Sequence, residues 1–205
     1  MSYEPVANGD LAAVVTYLEM LRRPDGDVPS SPLRLVAIPE PDLDEYRFLF
    51  RRVGARWLWF SRLLLDDDQL AAIIRHPDVE LFAVEDAQGS RVGLLELDFR
   101  EAGECELAFI GLLPDHAGHG HGRWLLAEAV SRAWRDGVAR VHVHTCSLDH
   151  PAALAAYARA GFTAYKRAIE RFPDPRLNGH LPRDCAPQVP LLGTPTAAPA
   201  PLPAS

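Results

Sequence analysis

Three glycines at alternate positions, Gly118, Gly120 and Gly122, constrain the fold more than any other feature of the sequence. They lie between an apolar run that ends at Pro114 and an amphipathic segment over residues 123–135. Glycine adopts positive φ without strain and, because it lacks Cβ, lets a ligand approach the backbone. The N–H groups that open a helix are unpaired and carry the positive end of its dipole. The pattern therefore favours a phosphate-binding turn between a strand and a helix over a purely structural turn.

The residues after the glycines exclude two common phosphate-binding patterns. A P-loop requires a Lys-Ser/Thr pair after its last glycine, but Arg123 and Trp124 follow here. A dinucleotide-binding turn counted from Gly120 requires Gly or Ala at position 125, which is Leu125. The phosphate ligand stays open on this evidence.

Composition narrows the classes of function. The chain has 205 residues, enough for one domain with a sizeable core, and a formal net charge of −7. This charge provides no basic footprint for nucleic acid, and no apolar run approaches the ~18 residues of a membrane span. Residues 1–10 lack the basic and apolar regions of a secretory signal. Because the three cysteines are far apart and odd in number, we expect reduced thiols in a cytoplasmic protein. From the charge and the lack of a long apolar run, we expect neither nucleic-acid nor membrane partners.

Strand and helix patterns alternate along the body of the chain, which indicates an α/β fold with a mixed sheet. The predicted strands cover residues 33–38, 79–85, 91–100, 104–113, 138–146 and 163–172. The predicted helices cover residues 41–54, 66–76, 123–135 and 151–160. Short turns join the second, third and fourth of these strands, so we expect an antiparallel meander there.

The sequence divides into three segments. Residues 1–32 are an N-terminal extension with one extra predicted strand, Ala13 to Leu21, and residues 33–172 are the main domain. Residues 173–205 are a Pro-rich tail that holds nine of the eighteen prolines. The end of the tail has no core-forming pattern, so we expect deletion of residues 194–205 to leave folding unchanged. Apolar residues between 177 and 191 leave open whether the rest packs on the domain.

The segment from Leu112 to Leu126 resembles the acetyl-CoA signature of the GNAT superfamily of N-acetyltransferases, Pro-x-x-Arg/Gln-x-x-Gly-x-Gly/Ala after a strand. The segment His150 to Phe162 resembles the second signature of that family, Asn-x-x-Ala-x-x-x-Tyr-x-x-x-Gly-Phe, through Ala153, Tyr157, Gly161 and Phe162. Order and spacing agree, and the resemblance covers Leu33 to about Phe172. It implies a GNAT fold, which is a mixed, mostly antiparallel twisted sheet with splayed fourth and fifth strands and flanking helices.

The resemblance implies an enzyme that moves an acetyl group from acetyl-CoA to a primary amine by direct attack. The alternative is a non-catalytic acyl-CoA-binding or sensing module on the same fold. The identity of the amine, the length of the acyl group and the oligomeric state, a homodimer included, stay open.

Coenzyme contacts follow from the resemblance, position by position. The pantetheine arm would pair with backbone at the end of the fourth family strand, and the pyrophosphate would lie in the glycine turn. The implied contacts are Gly111, Leu112, Leu113, Gly118, His119, Gly120, His121, Gly122, Arg123, His150 and Tyr157.

The chain departs from the family pattern in three ways. Ala117 replaces Arg or Gln, so one phosphate contact is missing or comes from Arg123 or His119. His150 replaces the usual Asn. No clear seventh strand follows Phe172, and we expect the extra N-terminal strand to occupy the vacant edge of the sheet.

Glutamate, histidine and tyrosine side chains are candidates for proton transfer. Glu106 is the first candidate for the general base, because its distance from Leu112 matches the catalytic glutamate of the histone acetyltransferase branch; the alternative is a solvated pair with Glu104. His142 and His144 share one face of the next strand, so either histidine is an alternative base, and His144 is the one retained as a site candidate. Tyr157 is expected to protonate the departing thiolate, and its alternative role is an aromatic core anchor.

Other clusters have simpler explanations. His116, His119 and His121 have loose ligand spacing, but histidines in a phosphate loop explain this pattern better, so no metal is predicted. Cys146 is close in sequence to His144 and Asp149, yet a strand cysteine is more often a small core residue than a nucleophile. The aromatic residues between the first two helices line a substrate pocket, pack in the core or form a lid: Trp57, Trp59 and Phe60.

Overall fold

A computed structural model describes residues 3–194. In this range the strands are β1 Asp10–Met20, β2 Arg34–Ala37, β3 Val79–Glu85, β4 Arg91–Asp98, β5 Glu104–Leu112, β6 Arg140–Cys146 and β7 Thr163–Pro173. The α-helices are α1 Leu43–Gly54, α2 Asp67–Ile74, α3 His121–Ala133 and α4 Ala153–Arg159. Short 3₁₀ turns cover Ala55–Trp57, Ser61–Leu63 and Pro114–His116. No helix within residues 3–194 has the length and apolar character needed to cross a membrane.

All seven strands form one sheet in the order β2-β3-β4-β5-β6-β1-β7. Every neighbouring pair is antiparallel except β5 and β6, which are parallel. This confirms the mixed, mostly antiparallel sheet. The pairing of β5 with β6 stops at Glu106 and His142, although both strands continue beyond these residues. Counted from β2, they are the fourth and fifth strands, and they diverge as expected.

The expected place of the N-terminal strand was wrong. It joins the sheet, but β1 lies between β6 and β7, and β7 forms the edge. The reason is burial on both faces, since Val15 and Leu18 point to opposite sides of the strand and are 4% and 1% exposed. By contrast, β7 is exposed along most of its length, which explains its weak apolar pattern. No strand follows Pro173 in the described part of the chain.

The helices begin where local sequence satisfies their free N–H groups. The side chain of Asp42 accepts hydrogen bonds from the N–H groups of Asp44 and Glu45 and so caps α1. At α2, Asp66 and Gln69 form the capping box that the sequence predicted. Helix α1 packs on the sheet face that carries the side chain of Glu96. Helix α3 covers the opposite face, where Arg132 lies 4.8 Å from the ring centroid of Phe82.

Residues 174–190 pack against the domain in spite of their proline content. The guanidinium of Arg176 is 3% exposed and forms a 2.6 Å ion pair with the buried carboxylate of Asp174. Its Nη1 donates to three carbonyls of the same segment, those of Cys185, Ala186 and Val189. This arginine therefore organises the segment from within. The region proposed for deletion lies outside the described residues, apart from Thr194.

Candidate active site

A cleft of about 1520 Å³ opens where β5 and β6 diverge. Its walls are the first turn of α3, helix α4, the loop between α1 and α2, and residues 23–29 of the β1–β2 connection. The cleft exceeds the ~300–1,000 Å³ of pockets for drug-sized ligands. It therefore has room for a large coenzyme together with a second substrate.

The glycine turn presents unpaired N–H groups to this cleft. Gly118 and Gly120 have φ of +88° and +81°, and Gly120 is the N-cap of α3. A Cβ at any of the three alternate glycines would have no neighbour within 4 Å, so the space in front of the turn is open. Among the described residues, none accepts a hydrogen bond from the N–H groups of residues 118–122. An anion is the ligand that such a row of N–H groups favours.

Polar side chains around the turn differ in whether they are free to meet a ligand or already contact other residues. Arg123 is exposed and lines the cleft. The ring of His121 lies 5.9 Å from that of His119, and its Nδ1 is 3.5 Å from the Ser31 hydroxyl. No group of three His, Cys, Asp or Glu side chains within residues 3–194 has a geometry that would hold a metal ion.

The end of β5 offers the cleft two of its three predicted coenzyme contacts. Gly111 and Leu112 line the cleft and pair with β4 on one side only, because β6 has diverged on the other. Leu113 is not part of the lining, is 9% exposed, and donates its N–H to the carbonyl of Val92. Its backbone donor is therefore already used within the sheet.

Glu106 and His144 form a hydrogen-bonded pair in the cleft wall. Oε1 of Glu106 lies 3.1 Å from Nδ1 of His144, and both residues line the cleft. The hydrogen bond to His144 lowers the pKa of the Glu106 carboxyl, and the same bond raises the pKa of the His144 imidazole. When the ring is neutral, the carboxylate keeps the proton on Nδ1, which leaves the Nε2 lone pair for a ligand.

Glu104 and His142 lie two residues before Glu106 and His144 on the same strands, and they belong to a separate network. Arg140 donates to Glu19 and Glu104, each at 2.7 Å, and Nε2 of His142 is 3.5 Å from the Glu104 carboxylate. Neither Glu104 nor His142 lines the cleft. Burial lowers the pKa of His142, which is the opposite of the shift at His144. The structure thus separates the two histidines that the sequence could not distinguish.

Tyr157 lies at the base of the cleft on α4. Its side chain is 9% exposed, and its ring meets that of Phe162 edge to face at a centroid distance of 5.8 Å. Within residues 3–194 its hydroxyl has no hydrogen-bond partner, so the backbone carbonyl expected for a pure core anchor is absent there. Burial raises the pKa of Tyr157, which keeps the phenol protonated.

His150 lies at the start of the turn that leads into α4 and also lines the cleft. Its Nδ1 accepts a hydrogen bond of 3.1 Å from the N–H of Ala152. Its ring lies 5.1 Å from that of Trp57. In place of the usual Asn, this histidine orders the chain before the helix.

Sequence reasoning missed a contact between Trp59 and Asp149. Oδ1 of Asp149 accepts a hydrogen bond of 3.1 Å from the indole N–H of Trp59. Oδ2 accepts from the Thr145 hydroxyl at 2.8 Å and from the N–H of Cys146 at 2.7 Å.

Burial raises the pKa of the Cys146 thiol to about 11, which argues against a thiolate nucleophile.

A buried carboxylate on β4 was also missed. Glu96 is 0% exposed and accepts hydrogen bonds from the Tyr46 hydroxyl at 2.6 Å and from Nη2 of Arg62 at 2.5 Å. The Arg62 guanidinium lies 5.0 Å from the ring centroid of Phe109 and lines the cleft. The available signal was a single Glu within the apolar run of β4, which requires a buried partner if its side chain faces the core.

Comparison with known families agrees with this geometry. A sequence model of the acetyltransferase (GNAT) family matches residues 43–162, which is more than half of the chain and includes the glycine turn and α4. No curated protein matches the chain significantly.

Solved structures share the fold at low sequence identity. A GCN5-related N-acetyltransferase from Sphaerobacter thermophilus has a TM-score of 0.57 at 19% identity, covering 78% of this chain and 51% of its own. A spermidine N-acetyltransferase from Vibrio cholerae, in complex with CoA and spermine, has a TM-score of 0.54 at 24% identity, covering 69% and 94%. An aminoglycoside acetyltransferase from an uncultured soil metagenomic sample, in complex with trehalose, has a TM-score of 0.53 at 18% identity, covering 68% and 93%. The chain spans about half the length of the Sphaerobacter protein.

Proposed function

The chain belongs to the acetyltransferase (GNAT) family, and we propose that it transfers an acetyl group from acetyl-CoA to a primary amine by direct attack. One observation carries this proposal. The glycine turn, the Glu106–His144 pair and Tyr157 all line the same cleft. These are the groups that acyl transfer from a thioester requires: a coenzyme site, a base for the amine and an acid for the thiolate.

Coenzyme binding uses backbone more than side chains. The unpaired N–H groups of residues 118–122 receive the pyrophosphate, and Arg123 supplies the positive charge that Ala117 does not. The free edge of β5 at Gly111 and Leu112 receives the pantetheine arm as an added strand. Loss of a charge-assisted hydrogen bond at this turn costs ~1.5–3 kcal/mol.

Proton transfer uses the paired residues in distinct roles. Nε2 of neutral His144 takes a proton from the substrate ammonium, and Glu106 holds the ring and stabilises the imidazolium that results. The amine nitrogen attacks the thioester carbonyl, the C–N bond forms and the C–S bond breaks. The thiolate then takes the phenolic proton of Tyr157, and the attacking nitrogen gives its second proton to the phenolate through solvent. The His144 imidazolium releases its proton to solvent before the next turnover.

The neighbours guide the choice of acceptors for the first assay. The solved structures include one protein named for spermidine and one named for aminoglycosides. Both compound classes are polyamines, and the net charge of −7 favours cationic ligands. We therefore propose a panel of polyamines, aminoglycosides, peptide N-termini and lysine derivatives.

Release of CoA thiol tests the function. The protein is incubated with acetyl-CoA and each amine, and the free thiol is measured against time, with binding of acetyl-CoA followed by calorimetry. Amine-dependent thiol release supports the enzyme. Tight acetyl-CoA binding without release for every amine would instead support the non-catalytic binding module, and absence of binding would contradict both.

A further inference from the structure

The indole of Trp59 occupies a position that bridges the two diverging strands. On one side, a Cβ added to Gly111 of β5 would lie 3.1 Å from Cη2 of Trp59, so the outer edge of the ring lies over this glycine. On the other side, the indole N–H binds Asp149, which follows β6. The ring also lines the cleft. The ring therefore reaches from β5 to the segment that follows β6, beyond the point where the two strands stop pairing.

The chain around Trp59 is shaped to hold the ring in this place. Leu58 adopts left-handed backbone with φ of +58°, which is strained for a bulky residue. The Trp59 N–H bonds to the carbonyl of Gly54 at 3.1 Å. A Cβ at Gly54 would lie only 2.5 Å from Trp59 atoms, so the ring needs glycine at this position. The rings of Phe50 and Phe109 pack on it at centroid distances of 5.7 and 5.2 Å.

We propose that Trp59 is the residue that limits the acyl group of the donor to a short chain. This inference rests on the proposed function. Because the pantetheine arm pairs there with β5 at Gly111 and Leu112, we place its acyl thioester between β5 and β6 beside Gly111. A chain longer than acetyl that extends along the gap meets the indole edge instead of passing between the strands. Asp149 is a positioning residue, since its carboxylate fixes the ring through the indole N–H while its other oxygen is held by Thr145 and Cys146.

Calorimetric titration with a series of donors tests this role without knowledge of the acceptor. The ligands are CoA, acetyl-CoA, butyryl-CoA and hexanoyl-CoA, and the variants are Trp59→Ala and Trp59→Phe. In the wild-type protein we expect hexanoyl-CoA to bind ~10-fold or more weakly than acetyl-CoA, because each methylene without space has a cost of this order. In Trp59→Ala, the affinities for acetyl-CoA and hexanoyl-CoA should lie within ~3-fold of each other. CoA without an acyl group should bind equally to the wild-type protein and to both Trp59 variants.

Two variants separate the acyl effect from loss of structure. Trp59→Phe keeps an aromatic ring beside Gly54 but removes the outer edge of the indole together with the N–H that binds Asp149. We expect it to accept butyryl-CoA while still discriminating against hexanoyl-CoA. Trp134→Phe is the matched control, because Trp134 packs on Met20 outside the cleft and its substitution should leave the preference unchanged.

The outcomes distinguish this inference from the proposed function. One outcome is that the wild-type protein binds CoA and also binds hexanoyl-CoA as tightly as acetyl-CoA. In that case the role of Trp59 is wrong and the coenzyme site stands. Unchanged discrimination in both Trp59 variants, with CoA binding intact, also overturns it. If the wild-type protein binds no CoA at all, the proposed function fails and the inference fails with it.

Discussion

Oε1 of Glu106 and Nδ1 of His144 lie 3.1 Å apart at the point where β5 and β6 stop pairing. The contact shifts the pKa of each group away from its ordinary value. The hydrogen bond favours the carboxylate at Glu106 and the imidazolium at His144. A carboxylate held in this way is a weak base, whereas an imidazole with a raised pKa is a stronger one. The geometry therefore assigns proton removal to the histidine in the mechanism that we propose.

Substitution of this pair should alter the pH–rate profile in a defined direction. Glu106→Gln removes the charge that stabilises the imidazolium, so the pKa of His144 falls and the ring stays neutral to lower pH. The acidic limb of kcat/KM against pH should move to lower pH, although the maximal rate falls because the ring is held less well. His144→Gln should lower the rate by ~10²-fold or more.

The control for this experiment is His142→Gln, since His142 lies outside the cleft. We expect its profile to match that of the wild-type protein. If Glu106→Gln leaves the acidic limb in place, the profile reports another group, such as the ionisation of the substrate amine.

The same pair predicts how stability depends on pH. A lowered pKa at Glu106 contributes stability above the carboxyl's unfolded value near 4.5, and this contribution is lost as pH falls through the folded pKa. A raised pKa at His144 contributes fully below its unfolded value near 6.5, and this contribution is lost as pH rises through the folded pKa. Both contributions are present between these two values.

Urea unfolding of the wild-type protein and of Glu106→Gln should therefore differ most near the middle of that window and less at pH 8. The difference should stay below ~1 kcal/mol, because the His144 side chain is 51% exposed and solvent screens the pair. A difference that grows steadily towards alkaline pH would contradict the ion pair.

Tyr157→Phe separates an acid from a core anchor, since it removes only the hydroxyl. The hydroxyl has no protein partner within residues 3–194, so its loss leaves no buried group unpaired and the free energy of unfolding should barely change. Turnover should fall ~10²-fold or more if the phenol protonates the thiolate, with acetyl-CoA affinity unchanged. Near-normal turnover would leave water as the acid.

Gly120→Glu should abolish acetyl-CoA binding, because it places bulk and negative charge where we propose that the pyrophosphate lies. The substitution also strains a backbone with φ of +81°. Gly89→Glu reproduces that strain in the β3–β4 turn, where φ is +80° and a Cβ has no neighbour within 4 Å. Calorimetry should show lost binding in the first variant and normal binding in the second, and equal affinities would remove the turn from the coenzyme site.

Local signals predicted much of the fold, and long-range contacts explain what they missed. The capping box of Asp66 and Gln69 and the glycine turn depend on neighbours within a few residues, so the sequence contains their whole cause. The Trp59–Asp149 bond joins residues 90 positions apart, and no local pattern specifies it. The place of β1 was missed for the same reason, because strand order depends on which distant strand pairs with it.

The last prediction concerns the C-terminal segment, where composition suggested little order. Arg176→Ala leaves the Asp174 carboxylate, which is 2% exposed, without its partner and removes three carbonyl contacts. We expect a loss of ~3–5 kcal/mol in the free energy of unfolding, measured by urea titration. Arg171→Ala breaks an exposed pair with Glu4 and should change this free energy by less than ~0.5 kcal/mol. The side chain of Gln188 donates a hydrogen bond to the carbonyl of Arg56, three residues before Trp59. Arg176→Ala should therefore also weaken discrimination between acyl chains. Equal stability of the two variants would show that residues 174–190 contribute little to the fold.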